Sequence, residues 1–273
     1  MKSYHIPGGS NTMLFVEECG NPLGIPVLFV HGVSQSRLSW TKQMKSPSLK
    51  HLRLISFDLR GHGLSDKPYH GYHDESNWAN DINAIISYLN LNRPVLVGWS
   101  YGGKVACDYI RLYGEDNVSG INLVAAGTSA GISGGSYYTA DSQAVIPKII
   151  STDALESSNT LQKFVKLLFY VEPSTEDFYF TLGYNTVVPP YVREAVVTRA
   201  ASYEDILSKI KIPVLLTHGL QDKILNPSQT VYNSKLILNS TVSFYEGTGH
   251  SPFWEKPHRF NCELETFVKK CRL

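Results

Sequence analysis

The sequence predicts an α/β protein, with a mostly parallel central sheet, helices on both faces and a helical cap insertion. Three observations lead there. Short apolar runs recur as continuous stretches. Helical periodicity fills several of the intervals between them. One long interval, 130–210, has a helical pattern and no clear strand. Unbroken Val/Leu/Ile runs are the mark of strands covered on both faces, as in parallel sheets, and strands alternating with helices make a doubly wound sheet.

Taken in order, strands are expected at 26–30 (PVLFV), 53–57 (RLISF), 95–99 (VLVGW), 121–126 (INLVAA), 213–217 (PVLLT) and 241–245 (TVSFY). Trp78, Ile82, Ile85, Ile86 and Leu89 share one face of a helix. A second helix covers 101–113 and stops at Gly114, where a glycine can cap it. Phe260, Leu264, Phe267 and Val268 stripe a third. Pro147, Pro173, Pro189 and Pro190 punctuate 130–210. A structureless loop of that length would be exceptional. The expected division is therefore a core domain of 1–129 and 211–273, with 130–210 as a lid over one edge of the sheet.

Composition removes several function classes. At 273 residues the chain can bury a large core without disulfide or metal staples. Lys and Arg number 25 against 24 acidic residues, a formal charge of +1, so no nucleic-acid footprint follows. No apolar run reaches membrane-span length. Residues 1–10 (MKSYHIPGGS) carry no signal-peptide pattern, so a cytoplasmic protein with reduced thiols is expected. Cys19, Cys107, Cys262 and Cys271 lack zinc-site spacing, and the His70/His73 pair has no evident third ligand. No metal and no cofactor is expected, and the expected partner is a small-molecule substrate.

The chemistry begins at Gly98-Trp99-Ser100-Tyr101-Gly102, a strand-to-helix bend with a serine at its tip. Ser100 would project above the carboxyl end of the sheet, where open α/β sheets bind ligands. Gly131-Ile132-Ser133-Gly134-Gly135 fits the same pattern, but follows no strand and precedes no helix. A serine hydroxyl needs a base to become a nucleophile. Of nine histidines, His250, just after the last strand, has the right context. His218 ends another strand and could be structural. His31 and His62 lie in glycine turns and are expected to bond to backbone. His5, His51, His70, His73 and His258 are expected to be solvated. The acid that orients the base is expected at Asp222, after the strand PVLLT, with Glu246 as the alternative. One oxyanion donor is expected from the Tyr101 amide at the helix start, the other from the Val33 amide in His31-Gly32-Val33-Ser34. Trp99, beside the serine, is expected to touch substrate.

These residues, with Asp58-Leu59-Arg60-Gly61-His62-Gly63-Leu64-Ser65-Asp66 and Gly219-Leu220-Gln221-Asp222, resemble the α/β-hydrolase fold superfamily, in its compact serine-hydrolase form with a helical cap. The resemblance spans nearly the whole chain outside the cap. It implies Ser100 as nucleophile, Asp222 as acid and His250 as base, with Arg60 and His62 bracing the site. It also implies hydrolysis of a carboxylic ester, expected to be small or medium and largely apolar. Lactone hydrolysis, carbon–carbon bond hydrolysis and cofactor-free perhydrolysis of the haloperoxidase type are alternatives on the same triad, although haloperoxidases usually have Met where this chain has Tyr101. Serine at position 100 disfavours the epoxide-hydrolase and dehalogenase members, which use aspartate. A non-catalytic receptor on a hydrolase scaffold is the alternative of another class.

Overall fold

A computed structural model describes residues 1–128 and 137–272. Eight strands form one sheet: β1 (Lys2–Pro7), β2 (Met13–Gly20), β3 (Pro26–Val30), β4 (Arg53–Phe57), β5 (Val95–Trp99), β6 (Gly120–Val124), β7 (Val214–Gly219) and β8 (Ser240–Tyr245). Their order is β1-β2-β4-β3-β5-β6-β7-β8. Strands β3 to β8 run parallel, and β1 and β2 add an antiparallel edge.

The continuous apolar runs have a direct cause. Every residue of β3 is buried, with Leu28 and Val30 on one face and Val27 and Phe29 on the other. On the first face lie α2 (Glu75–Tyr88) and α3 (Tyr101–Tyr113), contributing Trp78, Ile82, Ile85, Val105 and Tyr109. Asp74 starts α2 by accepting the Ser76 amide at 2.9 Å. The other face receives Trp40 and α1 (Thr41–Met44), together with Phe260, Leu264 and Val268 of the C-terminal helix.

Between β6 and β7 come α4 (Ala140–Val145), α5 (Ala154–Leu167), α6 (Thr175–Thr186), α7 (Pro190–Thr198) and α8 (Glu204–Leu207). The chain closes with α9 (Ser228–Leu236), α10 (Pro252–Glu255) and α11 (Pro257–Lys270).

Three differences from the sequence reading have physical causes. β1 and β2 add two strands that the apolar runs do not show, because β2 buries one face more deeply than the other and so alternates buried and half-buried residues instead of forming a continuous run. β6 stops at Val124 because Ala125 turns with a φ of 41°. β7 runs on through His218 and Gly219, past the expected end at 217. Among the described residues no helix is long and apolar enough to cross a membrane.

Candidate active site

Ser100 occupies the bend between β5 and α3, with φ 53° and ψ −115°. A non-glycine residue in that region costs of order 1–3 kcal/mol and needs its surroundings to hold it. The Ser100 amide donates to the Val124 carbonyl at 2.9 Å, and the Ser100 carbonyl accepts from the Gly103 amide at 3.0 Å. Two glycines allow the bend. A Cβ on Gly98 would lie 2.6 Å from the Gly102 carbonyl oxygen, and one on Gly102 would strike the Val30 carbonyl. The first turn of α3 is thus pressed against the ends of both β5 and β3.

His250 arrives from the loop after β8. Its Nδ1 donates to Asp222 Oδ2 at 2.7 Å, since an ionised carboxylate can only accept. Asp222 follows β7 and is buried. Its Oδ1 accepts the Ile224 and Leu225 amides at 2.7 and 3.0 Å. Burial alone would raise its pKa, but His250 and His218 outweigh burial and hold the carboxyl below the usual range. The alternative acid, Glu246, is exposed.

The loop carrying Val33 is fixed by two histidines. His31 donates from Nδ1 to the Gly32 carbonyl (2.8 Å) and accepts the Leu59 amide at Nε2 (3.0 Å). His62 donates to the Arg60 carbonyl (2.9 Å) and accepts the Ser34 amide (3.1 Å). Both rings are buried, which pushes their pKa values down to about 3. Below them Arg60 donates to Asp81 at 2.7 and 2.6 Å and to the Gly9 and Asn77 carbonyls. The Gln35 amide closes a turn on the Gly32 carbonyl at 3.3 Å, with Ser34 at φ 60°. The turn makes no use of the Val33 amide. Tyr101 is the first residue of α3, so its amide has no intrahelical acceptor either.

Ser100, His250, Val33, Tyr101 and Trp99 line one cavity of about 200 Å³. Its other walls are largely apolar and include Ile146, Phe164, Leu168, Val196 and Ile224. Trp99 also donates from Nε1 to the His250 carbonyl at 2.8 Å, so it props the histidine loop as well as facing the cavity. His5, His51, His70, His73 and His258 are exposed. Ser133 lies outside the described residues.

The sequence reading missed Glu255. Its Oε1 accepts the Gly249 amide at 2.7 Å, and its Oε2 accepts the Tyr170 and Val171 amides at 2.9 and 3.3 Å. It therefore ties the His250 loop to the segment after α5. Nothing local in the sequence signals a bond made across 85 positions.

A sequence profile described as alpha/beta hydrolase fold matches residues 25–257, and the chain belongs to that family. A candidate aryl esterase from Burkholderia cenocepacia superposes with a TM-score of 0.94 at 33% identity, covering 99% of each chain. The esterase RhEst1 from Rhodococcus sp. ECU1013 gives 0.91 at 33%, over 98% of this chain and 99% of that one. Among curated relatives, a non-heme chloroperoxidase of Streptomyces lividans is 27% identical, over 94% of this chain and 96% of its own.

Proposed function

We propose that the protein is a serine hydrolase that cleaves a small carboxylic ester through an acyl-enzyme. The observation that carries this reading is that His250, held by Asp222, opens onto the same small cavity as Ser100. The similarity to the structures of an esterase and of a candidate aryl esterase supports it.

In this mechanism Ser100 Oγ attacks the ester carbonyl while His250 Nε2 takes the hydroxyl proton. Asp222 steadies the imidazolium through the Nδ1 hydrogen. The Val33 and Tyr101 amides receive the oxyanion, each donor contributing about 3 kcal/mol to the transition state. The tetrahedral intermediate collapses as His250 protonates the departing alkoxide. A water molecule then attacks the acyl-enzyme, giving its proton to His250, which returns it to Ser100 as the acid leaves. Helices α4 to α7 serve as the cap: residues of α4, α5 and α7 wall the cavity. The cavity's largely apolar lining suits an apolar acyl group.

Wild type is expected to react rapidly with a fluorophosphonate and to hydrolyse a short 4-nitrophenyl ester. Ser100→Ala should lose the label and about 10⁴-fold or more of the rate, whereas Ser133→Ala should keep both. Equal turnover in wild type and Ser100→Ala would end this reading, and an unlabelled wild type would favour a non-catalytic receptor. The similarity to a chloroperoxidase favours perhydrolysis as a second activity. Peracid formed from acetate and hydrogen peroxide, and lost in Ser100→Ala, would establish it.

A further inference from the structure

We propose that Lys104 binds a carboxylate on the substrate, so that the preferred ester is a monoester of a dicarboxylic acid or an ester with an anionic alcohol part. The inference rests on the esterase reading and refines its substrate class. Among the described residues lining the cavity, Lys104 is the one side chain with a permanent charge. It stands on α3 four residues after Ser100, one helical turn and roughly 5–6 Å along the axis. Its Cε lies 3.9 Å from where a Cβ on Gly127 would be, and Gly127 lines the same cavity.

The ammonium has no carboxylate within ion-pair distance among the described residues. It faces the Tyr101 ring, with the centroid 6.0 Å away, at the outer limit of a cation–π interaction. The neighbouring cation is already paired. Arg199 donates to Asp108 at 2.6 Å, to the Tyr101 hydroxyl at 3.0 Å and to the Tyr203 hydroxyl at 3.1 Å. Arg193, buried with Nε and Nη1 unpartnered, is not among the residues lining the cavity, so Lys104 is the charge the cavity offers a ligand.

A cation set among low-dielectric walls projects its field into the cavity more strongly than one in bulk water. Phe164, Leu168 and Ile224 offer those walls to a hydrocarbon spacer. One ammonium matches one carboxylate, which excludes polyanions and asks for an apolar body with a single charged end. A lysine that merely lays its stem over apolar surface would leave substrate charge without effect.

The test compares 4-nitrophenyl pentanoate, the mono-4-nitrophenyl ester of adipic acid, and 4-acetoxybenzoate, whose charge lies on the alcohol side. Ser100→Ala serves as background. The ratio of kcat/KM for one anionic ester to that for the neutral ester should fall about tenfold or more in Lys104→Met, chiefly through KM. Lys104→Arg should restore it, and added sodium chloride should shrink it in wild type but not in Lys104→Met. Unchanged ratios for both anionic esters would overturn the proposal. Calorimetric binding of monomethyl adipate to Ser100→Ala gives a readout independent of turnover. Its Kd should rise about tenfold or more on adding Lys104→Met, while that of dimethyl adipate moves less. Failure of this difference counts against Lys104, whereas failure of wild type to exceed Ser100→Ala on the neutral ester counts against the esterase reading.

Discussion

His218 and His250 donate to one oxygen of Asp222, from Nε2 at 2.9 Å and from Nδ1 at 2.7 Å. The Nε2 of His218 also faces the Leu225 carbonyl at 3.0 Å, so both its partners are acceptors and Nε2 carries the hydrogen. Its Nδ1 lies 2.7 Å from the Thr230 hydroxyl, which orients the ring from behind. His218 thus positions the acid without reaching the cavity.

Removing that donor should misorient Asp222. A hydrogen bond to a charged group contributes about 1.5–3 kcal/mol, so His218→Phe is expected to lower kcat/KM about tenfold or more, mainly through kcat. Thr230→Val should lower it less, because His218 keeps its Asp222 bond. Steady-state kinetics on one ester decides it, and a change within twofold for His218→Phe would contradict the positioning role.

Glu255 holds three backbone amides on two separate segments. Gly249 packs so tightly there that a Cβ on it would lie 2.6 Å from the Tyr170 nitrogen. Glu255→Ala leaves those donors without their acceptor, at about 1–3 kcal/mol for each one that stays buried. Amide hydrogen exchange should quicken at Gly249, Tyr170 and Val171 together, and kcat should fall with it. Exchange quickened at Gly249 alone would show that the two segments are not coupled through this carboxylate.

The two buried histidines predict how stability responds to acid. In the unfolded chain an imidazole titrates near 6.5, whereas in the fold burial lowers both His31 and His62 to about 3. Between those values the unfolded state binds protons that the native state refuses, so stability falls as pH falls. The loss is about 1.4 kcal/mol per pH unit for each histidine. Urea midpoints at pH 7, 6 and 5 should show it, and the slope should be shallower in His62→Gln. An equal slope in both proteins would remove His62 from the account.

Two glycine substitutions should have opposite signs. Gly102→Ala drives a Cβ into the Val30 carbonyl and within 2.7 Å of the His31 carbonyl, both backbone, and should destabilise by several kcal/mol or prevent folding. Gly183, inside α6, has open space on its side-chain side, and a Cβ there would meet nothing within 4 Å. Gly183→Ala is expected to stabilise by about 0.5–1 kcal/mol through helix propensity and a less flexible unfolded chain. Thermal melts of the two variants test both signs.

The parallel strands and the glycine-flanked serine bend were legible in the sequence because their signals are local. A strand buried on both faces must be apolar throughout, and a bend this tight admits only glycine at Gly98 and Gly102. β1 and β2 are less legible because β2 buries only alternate residues, and eight residues of alternation stand out less than an unbroken apolar run. The histidine context after β8 was also readable, since the loop follows the last strand directly.

Tertiary structure alone decided how those parts meet. Asp222 and His250 are 28 positions apart, Trp99 reaches His250 across 151, and Glu255 reaches Val171 and Tyr170 across 84 and 85. Among the described residues Lys104 meets no acidic partner, while Arg199 pairs with Asp108 and two tyrosine hydroxyls, and that difference likewise follows from packing between α3 and the segment after α7. Local propensity depends on a residue and its immediate neighbours, whereas a hydrogen bond between distant segments depends on where the whole sheet carries them.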